Sequence, residues 1–540
     1  MIQHHKYWKQ TGKTFTLVAV CFFLKISSSL LAQGVVTLPR STPASQGVSA
    51  AGISHFLDAV KASGIEFHSL MMVRHGKVIA EGWWNPYRAD LVHTMYSTSK
   101  SFTSTAVGFA ITEGLLKTDD KVAAFFPQDV PDTLSAFQQQ MTVKDLLTMS
   151  VGQRPDPTFT VIDKRNWVKE FFALPVLDTP GTKFLYNSLA TYMLSAIVQR
   201  VTGQRVIDYL QPRLFAPLGI QGITWERSPE GINTGGWGLS LKTEDMAKFG
   251  QLYLQQGIWQ GRQIIPAAWV KEATGFKIGP AGPNVPPAAE AKDWEQGYCY
   301  QFWRCRNNAF RADGAFGQFI VVMPDQNAVI AITCETADMQ AELELVWKYL
   351  LPAMKNDTLP ENITETHKLK QQLAALALLP AGKNVPHTIA RQINGKTFNI
   401  AANDAHIQQV SFSFRNNRCQ FTLKDDSARY QFDCGLLQWV EGTTQMPGTP
   451  PKLTDIAKGN TVGLPPAKVA ASYVWKDSTT LEIVCRYIES PHKETITCHF
   501  NKQTVTLDFH GSLTAMVPSA GKRPTLNGVL ENTRIGILTP

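Results

Sequence analysis

The sequence predicts two domains: an α/β (α+β) sandwich with one antiparallel sheet flanked by helices, and then an all-β barrel or sandwich. Three observations lead to this prediction. The 540 residues exceed the size of one ordinary domain. Helical patterns dominate from residue 97 to about 260, with strand patterns on both sides of them. Beyond residue 386 the chain consists almost entirely of short strands separated by turn residues.

The first 32 residues are predicted to be a secretory signal peptide. Lysines precede an apolar stretch at residues 15–24, and small residues follow as far as Ala32, where cleavage would occur. The stretch is too short to span a bilayer, which needs about 20 apolar residues. An uncleaved membrane anchor is the alternative. We therefore expect an exported protein, periplasmic or extracellular after cleavage.

The composition is that of a globular protein and argues against some functions. Hydrophobic residues make up 44% and charged residues 18% of the chain. The formal net charge is +8, and four lysines within the signal peptide account for half of it. The remaining charge is too small and too dispersed for a nucleic-acid-binding protein. Since no Cys/His cluster has the spacing of metal ligands, we expect neither a metal nor another cofactor.

The first domain is predicted to cover residues 33–354, and its elements follow from the periodicity of apolar residues. Alternation around a turn predicts a hairpin, and helical spacing predicts the segments that follow it. The predicted elements are a helix at 54–62, a β-hairpin at 69–84, helices at 102–116 and 192–201, and strands at 299–306 and 318–333.

A polar segment, residues 355–386, is predicted to link this domain to the second. Residues 387–540 contain about eight short strands with turn signals, which predicts an antiparallel β domain. Cysteines bracket two of the predicted hairpin turns. Disulfides and buried thiols both fit these two pairs, Cys419 with Cys434 and Cys485 with Cys498.

A Ser-x-x-Lys motif at a predicted helix start is the most informative feature of the first domain. Residues three apart lie on one face of a helix, so Ser97 Oγ and the Lys100 amine can meet. A serine is a weak nucleophile until a neighbour takes its proton, and a buried amine can do so. A helix N-terminus also offers free backbone N–H groups to an oxyanion.

Three further segments would complete one site: Tyr186-Asn187-Ser188, residues 235–240 and residues 312–318. With Ser97 and Lys100, their order and spacing resemble the penicillin-recognising serine hydrolases, in the branch related to class C β-lactamases. That branch includes esterases, D-aminopeptidases, penicillin-binding proteins and nylon-oligomer hydrolases. The resemblance covers about residues 45–352 and implies a β-lactamase-like sandwich.

The resemblance implies a role for each matching residue. Ser97 would attack an acyl carbonyl, with Lys100 and Tyr186 as its base. A tyrosine beside an ammonium can have its pKa lowered, because the positive charge favours the phenolate. The oxyanion would be held by the backbone N–H groups of Ser97 and Ala315. Gly314 would let the substrate approach the edge strand closely.

The substrate pocket is predicted to include Ser188 and Trp237, and two positions depart from the family pattern. The second motif has Asn187 in the middle, where Tyr-x-Asn would place the asparagine last. The third motif begins with Ala312, which cannot pair with a substrate carboxylate as lysine or histidine would. Three nearby arginines could supply that cation: Arg304, Arg306 and Arg311.

The sequence thus predicts an exported serine hydrolase that cleaves a small ester, amide or peptide through a Ser97 acyl-enzyme. β-Lactamase or penicillin-binding D-peptidase activity is the alternative within enzymes. A catalytically silent binding protein of the same fold is the alternative from another class, although it would tend to have lost Ser97, Lys100 or Tyr186. His93 is the alternative base, but no Gly-x-Ser-x-Gly motif favours a Ser-His-Asp triad.

Overall fold

The computed structural model describes residues 36–380, 382–386, 388–452, 465–517 and 523–531. The predicted signal peptide, residues 1–32, lies outside these ranges. Within them, no helix is long and apolar enough to cross a membrane.

The first domain is built on a six-stranded antiparallel sheet flanked by helices, as predicted. The strands of this domain are β1 (Glu66–Arg74), β2 (Lys77–Trp83), β3 (His93–Thr94), β4 (Thr224–Trp225), β5 (Leu239–Leu241), β6 (Ile258–Trp259), β7 (Arg262–Gln263), β8 (Ile278–Gly279), β9 (Gly282–Pro283), β10 (Trp303–Arg304), β11 (Phe310–Gly314), β12 (Gln318–Met323) and β13 (Ala328–Glu335). Four pairings between short strands lie outside the main sheet. The main sheet has the order β10-β11-β12-β13-β1-β2.

The helices of the first domain cover both faces of this sheet. They are α1 (Ala50–Ser63), α2 (Ser99–Thr112), α3 (Ala136–Gln140), α4 (Val143–Leu147), α5 (Thr158–Val161), α6 (Trp167–Ala173), α7 (Ser188–Thr202), α8 (Val206–Leu210), α9 (Ala216–Leu218), α10 (Thr243–Leu254), α11 (Ala267–Thr274), α12 (Met339–Leu345) and α13 (Leu351–Ala353). Short 3-10 or π turns are Ala44–Gln46, Tyr96–Thr98, Val122–Phe125, Gln211–Phe215, Pro324–Gln326 and Val346–Leu350.

Two apolar layers sandwich the sheet, because successive strand residues point to opposite faces. Along β1, Met71 and Val73 pack into the layer that contains α2, α7 and α10. Leu70 and Met72 pack into the other layer, with α1 and α12. Nearly all of α2 is buried, so the helix that follows the Ser-x-x-Lys motif runs through the centre of the domain.

The predicted strand at 318–333 is instead two strands. Pro324–Gln326 form a 3-10 turn and Asn327 adopts a φ of 47°, so the chain reverses there. β12 and β13 then pair with each other, with Phe319 opposite Ile332. The predicted hairpin at 69–84 corresponds to β1 and β2.

The second domain is a β-barrel, one of the two predicted forms. The helix α14 (Ile363–Ala374) precedes the barrel. The elements of the barrel domain are α15 (Ile389–Ile393), β14 (Lys396–Ile400), β15 (Gln409–Arg415), β16 (Arg418–Lys424), β17 (Arg429–Leu436), β18 (Val440–Thr444), β19 (Ala467–Trp475), β20 (Thr480–Tyr487), β21 (Lys493–Asn501), β22 (Thr504–Gly511), α16 (Ser512–Met516) and β23 (Leu526–Leu530). Nine of its ten strands close the barrel, since β17 pairs with β19, and β18 extends along β19.

An aromatic and aliphatic core fills this barrel, including Phe398, Phe412, Phe500 and Trp475. The cysteines of the described residues are buried thiols, including those of the two candidate disulfide pairs. In the predicted linker, α14 packs its Leu369 against the first domain.

Polar contacts join the barrel to the first domain next to the nucleophile motif. Arg486 and Lys493 of the barrel both contact the Glu66 carboxylate, with Arg486 Nη1 2.5 Å from Glu66 Oε1. His492 Nε2 lies 2.6 Å from the Tyr96 hydroxyl, and its Nδ1 lies 2.7 Å from Glu335 Oε1. A residue adjacent to Ser97 is therefore held by a side chain of the barrel.

Candidate active site

Ser97 lies in a tight turn that leads directly into α2. The turn spans Tyr96–Thr98, and Tyr96 has a φ of 47°, a left-handed conformation that is rare for an aromatic residue. Thr98 Oγ1 donates to the carbonyl of Gln318 at 2.7 Å, and Ser99 Oγ donates to the Tyr96 carbonyl at 2.6 Å. These bonds fix the turn, so the half-buried Ser97 is held at the start of a buried helix.

Lys100 contacts Ser97 as the Ser-x-x-Lys spacing predicted. Its Nζ lies 3.0 Å from Ser97 Oγ, 3.0 Å from Ser188 Oγ and 2.7 Å from the Gly236 carbonyl. Burial lowers the pKa of Lys100 to about 7, and Asp156 and Asp313 oppose that shift. A substantial fraction of the amine is then neutral at physiological pH and can accept a proton.

Tyr186 lies beside this pair. Its ring stacks on Trp303 with centroids 5.7 Å apart, and Lys100 Nζ lies 4.8 Å from its ring centroid. Burial raises the pKa of Tyr186, and a hydrogen bond with Ser97 opposes that shift only in part. The expectation that an ammonium would lower this pKa is therefore wrong: desolvation dominates, and Lys100 is itself shifted toward its neutral form. Tyr186 is a neutral phenol.

The last two residues of the second motif have different roles: Asn187 caps a helix, and Ser188 belongs to the site. Asn187 is fully buried and caps α7, where its side chain accepts from the Ala190 N–H at 3.0 Å. Ser188 is the residue that reaches Lys100. Asn187 is thus part of the helix start, and its middle position in the motif has a structural reason.

The third motif packs against the nucleophile turn. A Cβ on Gly314 would lie 2.2 Å from the Met95 carbonyl oxygen, so only glycine allows β11 to approach the turn this closely. The close neighbour is therefore the protein's own backbone. Ala315 follows and is half-buried, packed with Tyr96, whereas Ala312 is buried in the core.

The three arginines that could have supplied a cation are engaged elsewhere. Arg311 is fully buried and contacts Asp313 at 2.8 Å. Arg306 contacts Asp293 at 3.0 Å, and Arg304 donates to Asn308 at 2.9 Å. His93, the alternative base, lies 3.1 Å from His68, and burial lowers its pKa well below the ordinary value.

Ser97 opens into a cleft at the protein surface. Two predicted residues, Ser188 and Trp237, line it. Gly238, in the predicted segment 235–240, also lines it. Its other walls were not predicted and come from distant parts of the chain: Thr94, Tyr96, Asp156, Thr158, Phe159, Ile162, Glu226, Pro450, Pro451, Lys452 and Ser490. The last four belong to the barrel, so both domains form the cleft. No local motif marks these residues in the sequence.

Trp237 forms an aromatic wall of the cleft. Its ring stacks on Trp167 with centroids 5.8 Å apart, and its backbone carbonyl accepts from Trp225 Nε1 at 2.9 Å. Within the described residues, no group of three or more His, Cys, Asp or Glu is placed to hold a metal ion.

The fold and the serine–lysine pair together define a serine hydrolase. The family model described as Beta-lactamase matches residues 54–353, more than half of the chain. The chain therefore belongs to the Beta-lactamase family, the penicillin-recognising serine hydrolases that its motifs resembled.

The chain is also similar to several named proteins. The chain is 26% identical over 291 residues to 6-aminohexanoate-dimer hydrolase of Paenarthrobacter ureafaciens, covering 48% of this chain and 71% of the relative. It is 27% identical over 168 residues to lovastatin esterase of Penicillium rubens, covering 27% of this chain and 42% of the relative. The octameric penicillin-binding protein homologue from Pyrococcus abyssi aligns with a TM-score of 0.44 and 14% identity, over 88% of this chain and 99% of its own.

Proposed function

We propose that this protein cleaves an ester or amide bond of a small molecule through an acyl-enzyme on Ser97. The observation that carries the proposal is the fully buried Lys100 amine, 3.0 Å from Ser97 Oγ. A neutral amine at that distance can take the serine proton as Oγ attacks the acyl carbonyl. The relatives named 6-aminohexanoate-dimer hydrolase and lovastatin esterase support this reaction class.

The steps follow from the residues in place. The Oγ–C bond forms as the proton passes to Lys100, and the oxyanion turns toward the backbone N–H groups of Ser97 and Ala315. The bond to the leaving group then breaks, and that group takes a proton from Tyr186, which Lys100 replenishes. In the second half, water attacks the acyl carbonyl and gives its proton to Lys100. The bond from the carbonyl carbon to Ser97 Oγ then breaks, and Oγ takes that proton back from Lys100. The hydrogen bond to Ser188 keeps the Lys100 amine in position throughout both halves of the reaction.

A β-lactamase or D-peptidase activity has less support from the site. The third motif has no cation, and its neighbouring arginines are engaged with Asp293, Asp313 and Asn308. Family members bind the β-lactam carboxylate with such a cation, and a charge-assisted hydrogen bond is worth about 1.5–3 kcal/mol. We therefore place neutral esters and amides ahead of β-lactams.

Activity profiling tests this function. Purified protein is assayed against p-nitrophenyl butyrate, linear amides, D-amino-acid amides and nitrocefin, alongside Ser97→Ala. We expect turnover of the ester or an amide that Ser97→Ala abolishes, with nitrocefin at least about tenfold slower in kcat/KM. Turnover of nitrocefin above the ester would reassign the protein as a β-lactamase, and unchanged turnover by Ser97→Ala would refute the nucleophile.

We also propose that the protein is exported, on the basis of its first 32 residues. N-terminal sequencing of the protein recovered from a periplasmic or culture-medium fraction should begin at Gln33. An intact N-terminus in the soluble cell fraction would contradict export.

A further inference from the structure

His492 is a fully buried histidine of the barrel domain that the proposed reaction does not use. It lies directly before β21, with its Nε2 2.6 Å from the Tyr96 hydroxyl and its Nδ1 2.7 Å from Glu335 Oε1, at the end of β13. A carboxylate only accepts, so Nδ1 donates to Glu335, and Nε2 of the neutral ring is left to accept from the Tyr96 hydroxyl. The first domain therefore holds this imidazole at both of its nitrogens.

Phe316, a second residue of the first domain, packs on the same imidazole. The rings of Phe316 and His492 meet edge-to-face with centroids 4.9 Å apart. The Phe316 ring also meets the Tyr96 ring edge-to-face, at 5.2 Å. Leu513, in the barrel helix α16, packs into the same cluster. The three rings and this leucine form one buried contact across the domain boundary.

The two first-domain residues of this cluster are neighbours of the proposed oxyanion hole. Tyr96 precedes Ser97 and Phe316 follows Ala315, the residues whose N–H groups would form the hole. Tyr96 has a φ of 47° and Phe316 a φ of 66°. Such left-handed conformations are unfavourable for aromatic residues and persist where surrounding contacts hold them. The Ser97 N–H belongs to the planar peptide unit that joins it to Tyr96, so the Tyr96 backbone sets its direction.

We propose that His492 of the barrel is a positioning residue for the oxyanion hole. By holding the side chains of Tyr96 and Phe316, it keeps the two N–H groups of the hole aimed at one point. The inference rests on the proposed function, because the attack of Ser97 on an acyl carbonyl is what generates the oxyanion. Fixed donors stabilise that charge most when they need no rearrangement during the reaction, so a misaligned hole should slow the chemical step.

Two substitutions of His492 separate its two hydrogen bonds. His492→Asn keeps a donor near the position of Nδ1 for Glu335 but cannot reach the Tyr96 hydroxyl. His492→Gln places an amide near the position of Nε2 and can accept from Tyr96. We expect kcat/KM for p-nitrophenyl butyrate to fall by about 10- to 100-fold in His492→Asn, since small displacements of reacting groups are costly. His492→Gln should restore most of it. Wild-type kcat/KM in folded His492→Asn, or equal losses in both folded variants, would overturn the proposal.

Tyr96→Phe tests the same contact from the first domain, and it decides the matter if the His492 variants do not fold. It should lower kcat/KM by a similar factor, and adding His492→Asn to it should cost little more, because both remove one interaction. The matched control is Tyr87→Phe, since the Tyr87 hydroxyl also donates across the domain boundary, to the Ser490 carbonyl at 3.1 Å. This control should keep wild-type kcat/KM. A comparable loss in Tyr87→Phe would overturn a specific role for His492.

Inhibition by phenylboronic acid reports the oxyanion hole itself. The Oγ–B bond forms as the Ser97 proton passes to Lys100, which gives a tetrahedral anion that resembles the transition state. Its inhibition constant should rise in His492→Asn and Tyr96→Phe by about the factor by which kcat/KM falls, and should stay unchanged in Tyr87→Phe. A fall in kcat/KM with unchanged inhibition would overturn alignment of the hole.

These outcomes are distinct from failure of the proposed function. An active wild-type protein whose His492 and Tyr96 variants match it refutes the positioning role alone. A wild-type protein with neither turnover nor labelling of Ser97 refutes the proposed function itself.

Discussion

Lys100 suits the proposed role of base because it is removed from water. An ordinary lysine, with a pKa of about 10.4, would remain protonated at neutral pH and could not accept the serine proton. In this site, burial lowers that pKa to about 7, and Ser97, Ser188 and the Gly236 carbonyl surround the amine. The chemistry of the pair therefore depends on desolvation as much as on the Ser-x-x-Lys spacing.

The pH profile should report this amine. Because the neutral form of Lys100 is the proposed base, kcat/KM for an uncharged ester should rise with pH, bend near the lowered pKa of about 7 and level off above it. The measurement is hydrolysis of p-nitrophenyl butyrate across the pH range in which the protein keeps its melting temperature. A bend close to the pKa of an ordinary lysine, or a flat profile through neutrality, would contradict a buried neutral amine.

Tyr186→Phe should lower kcat by about 10²–10⁴, the usual contribution of a positioned acid–base group. Since Tyr186 is a neutral phenol and the proposed proton donor to the leaving group, the loss should be larger for an alkyl amide than for a p-nitrophenyl ester, whose leaving group needs no proton. The control is Tyr298→Phe, a buried tyrosine whose ring meets Trp303 edge-to-face with centroids 4.9 Å apart. Equal losses for both leaving groups would refute the proton donor.

At the scale of elements, the sequence could predict what depends on local spacing. The spacing of three positions from serine to lysine brings Ser97 Oγ and Lys100 Nζ to 3.0 Å, and the alternation of apolar residues predicts β1 and β2. The sequence could not predict contacts between segments that lie far apart along the chain. The pKa direction of Tyr186 depends on burial by the whole fold. Glu226 lines the cleft, but no neighbouring motif marks it in the sequence.

Gly314→Ala should reduce activity strongly, because the new Cβ would lie 2.2 Å from the Met95 carbonyl and push β11 away from the nucleophile turn. We expect kcat to fall by about tenfold or more, since small displacements of reacting groups are costly. Gly442→Ala is the matched control: it is also a strand glycine, and its Cβ would come no closer than 4.0 Å to another atom. Wild-type kcat in Gly314→Ala would show that this close packing does not position Ser97.

At the scale of the molecule, the barrel takes part in the active site. Pro450 and Ser490 line the cleft, and His492 contacts the Tyr96 hydroxyl beside the nucleophile. Ionic contacts at Glu66 hold the two domains together at this edge. Closure of the barrel by β17 and β19 joins segments far apart in sequence, which local patterns alone do not specify.

Glu66→Gln should destabilise the protein by about 3–5 kcal/mol, because it leaves the buried Arg486 without its carboxylate. Although burial alone would raise the pKa of Glu66, hydrogen bonds from His68 and Arg486 hold it well below the ordinary value of 4.5. Its stabilising contribution is thus present above that value and is lost as the pH falls below it. Urea unfolding at neutral and acidic pH measures both effects.

The control for this interface is Glu441→Gln, whose partner Arg88 also lies across the domain boundary but is exposed. An exposed ion pair contributes about 0–1 kcal/mol, so this variant should unfold close to wild type. If both variants lost equal stability, burial at Glu66 would not be what makes that contact strong.

Covalent labelling of Ser97 tests the central claim most directly. The full protein is treated with a fluorophosphonate, its intact mass is measured and the modified peptide is mapped. We predict one adduct, on Ser97, lost in folded Ser97→Ala and kept in Ser104→Ala, a buried serine on the same helix. An adduct on another residue, or equal labelling of Ser97→Ala, would contradict the acyl-enzyme mechanism.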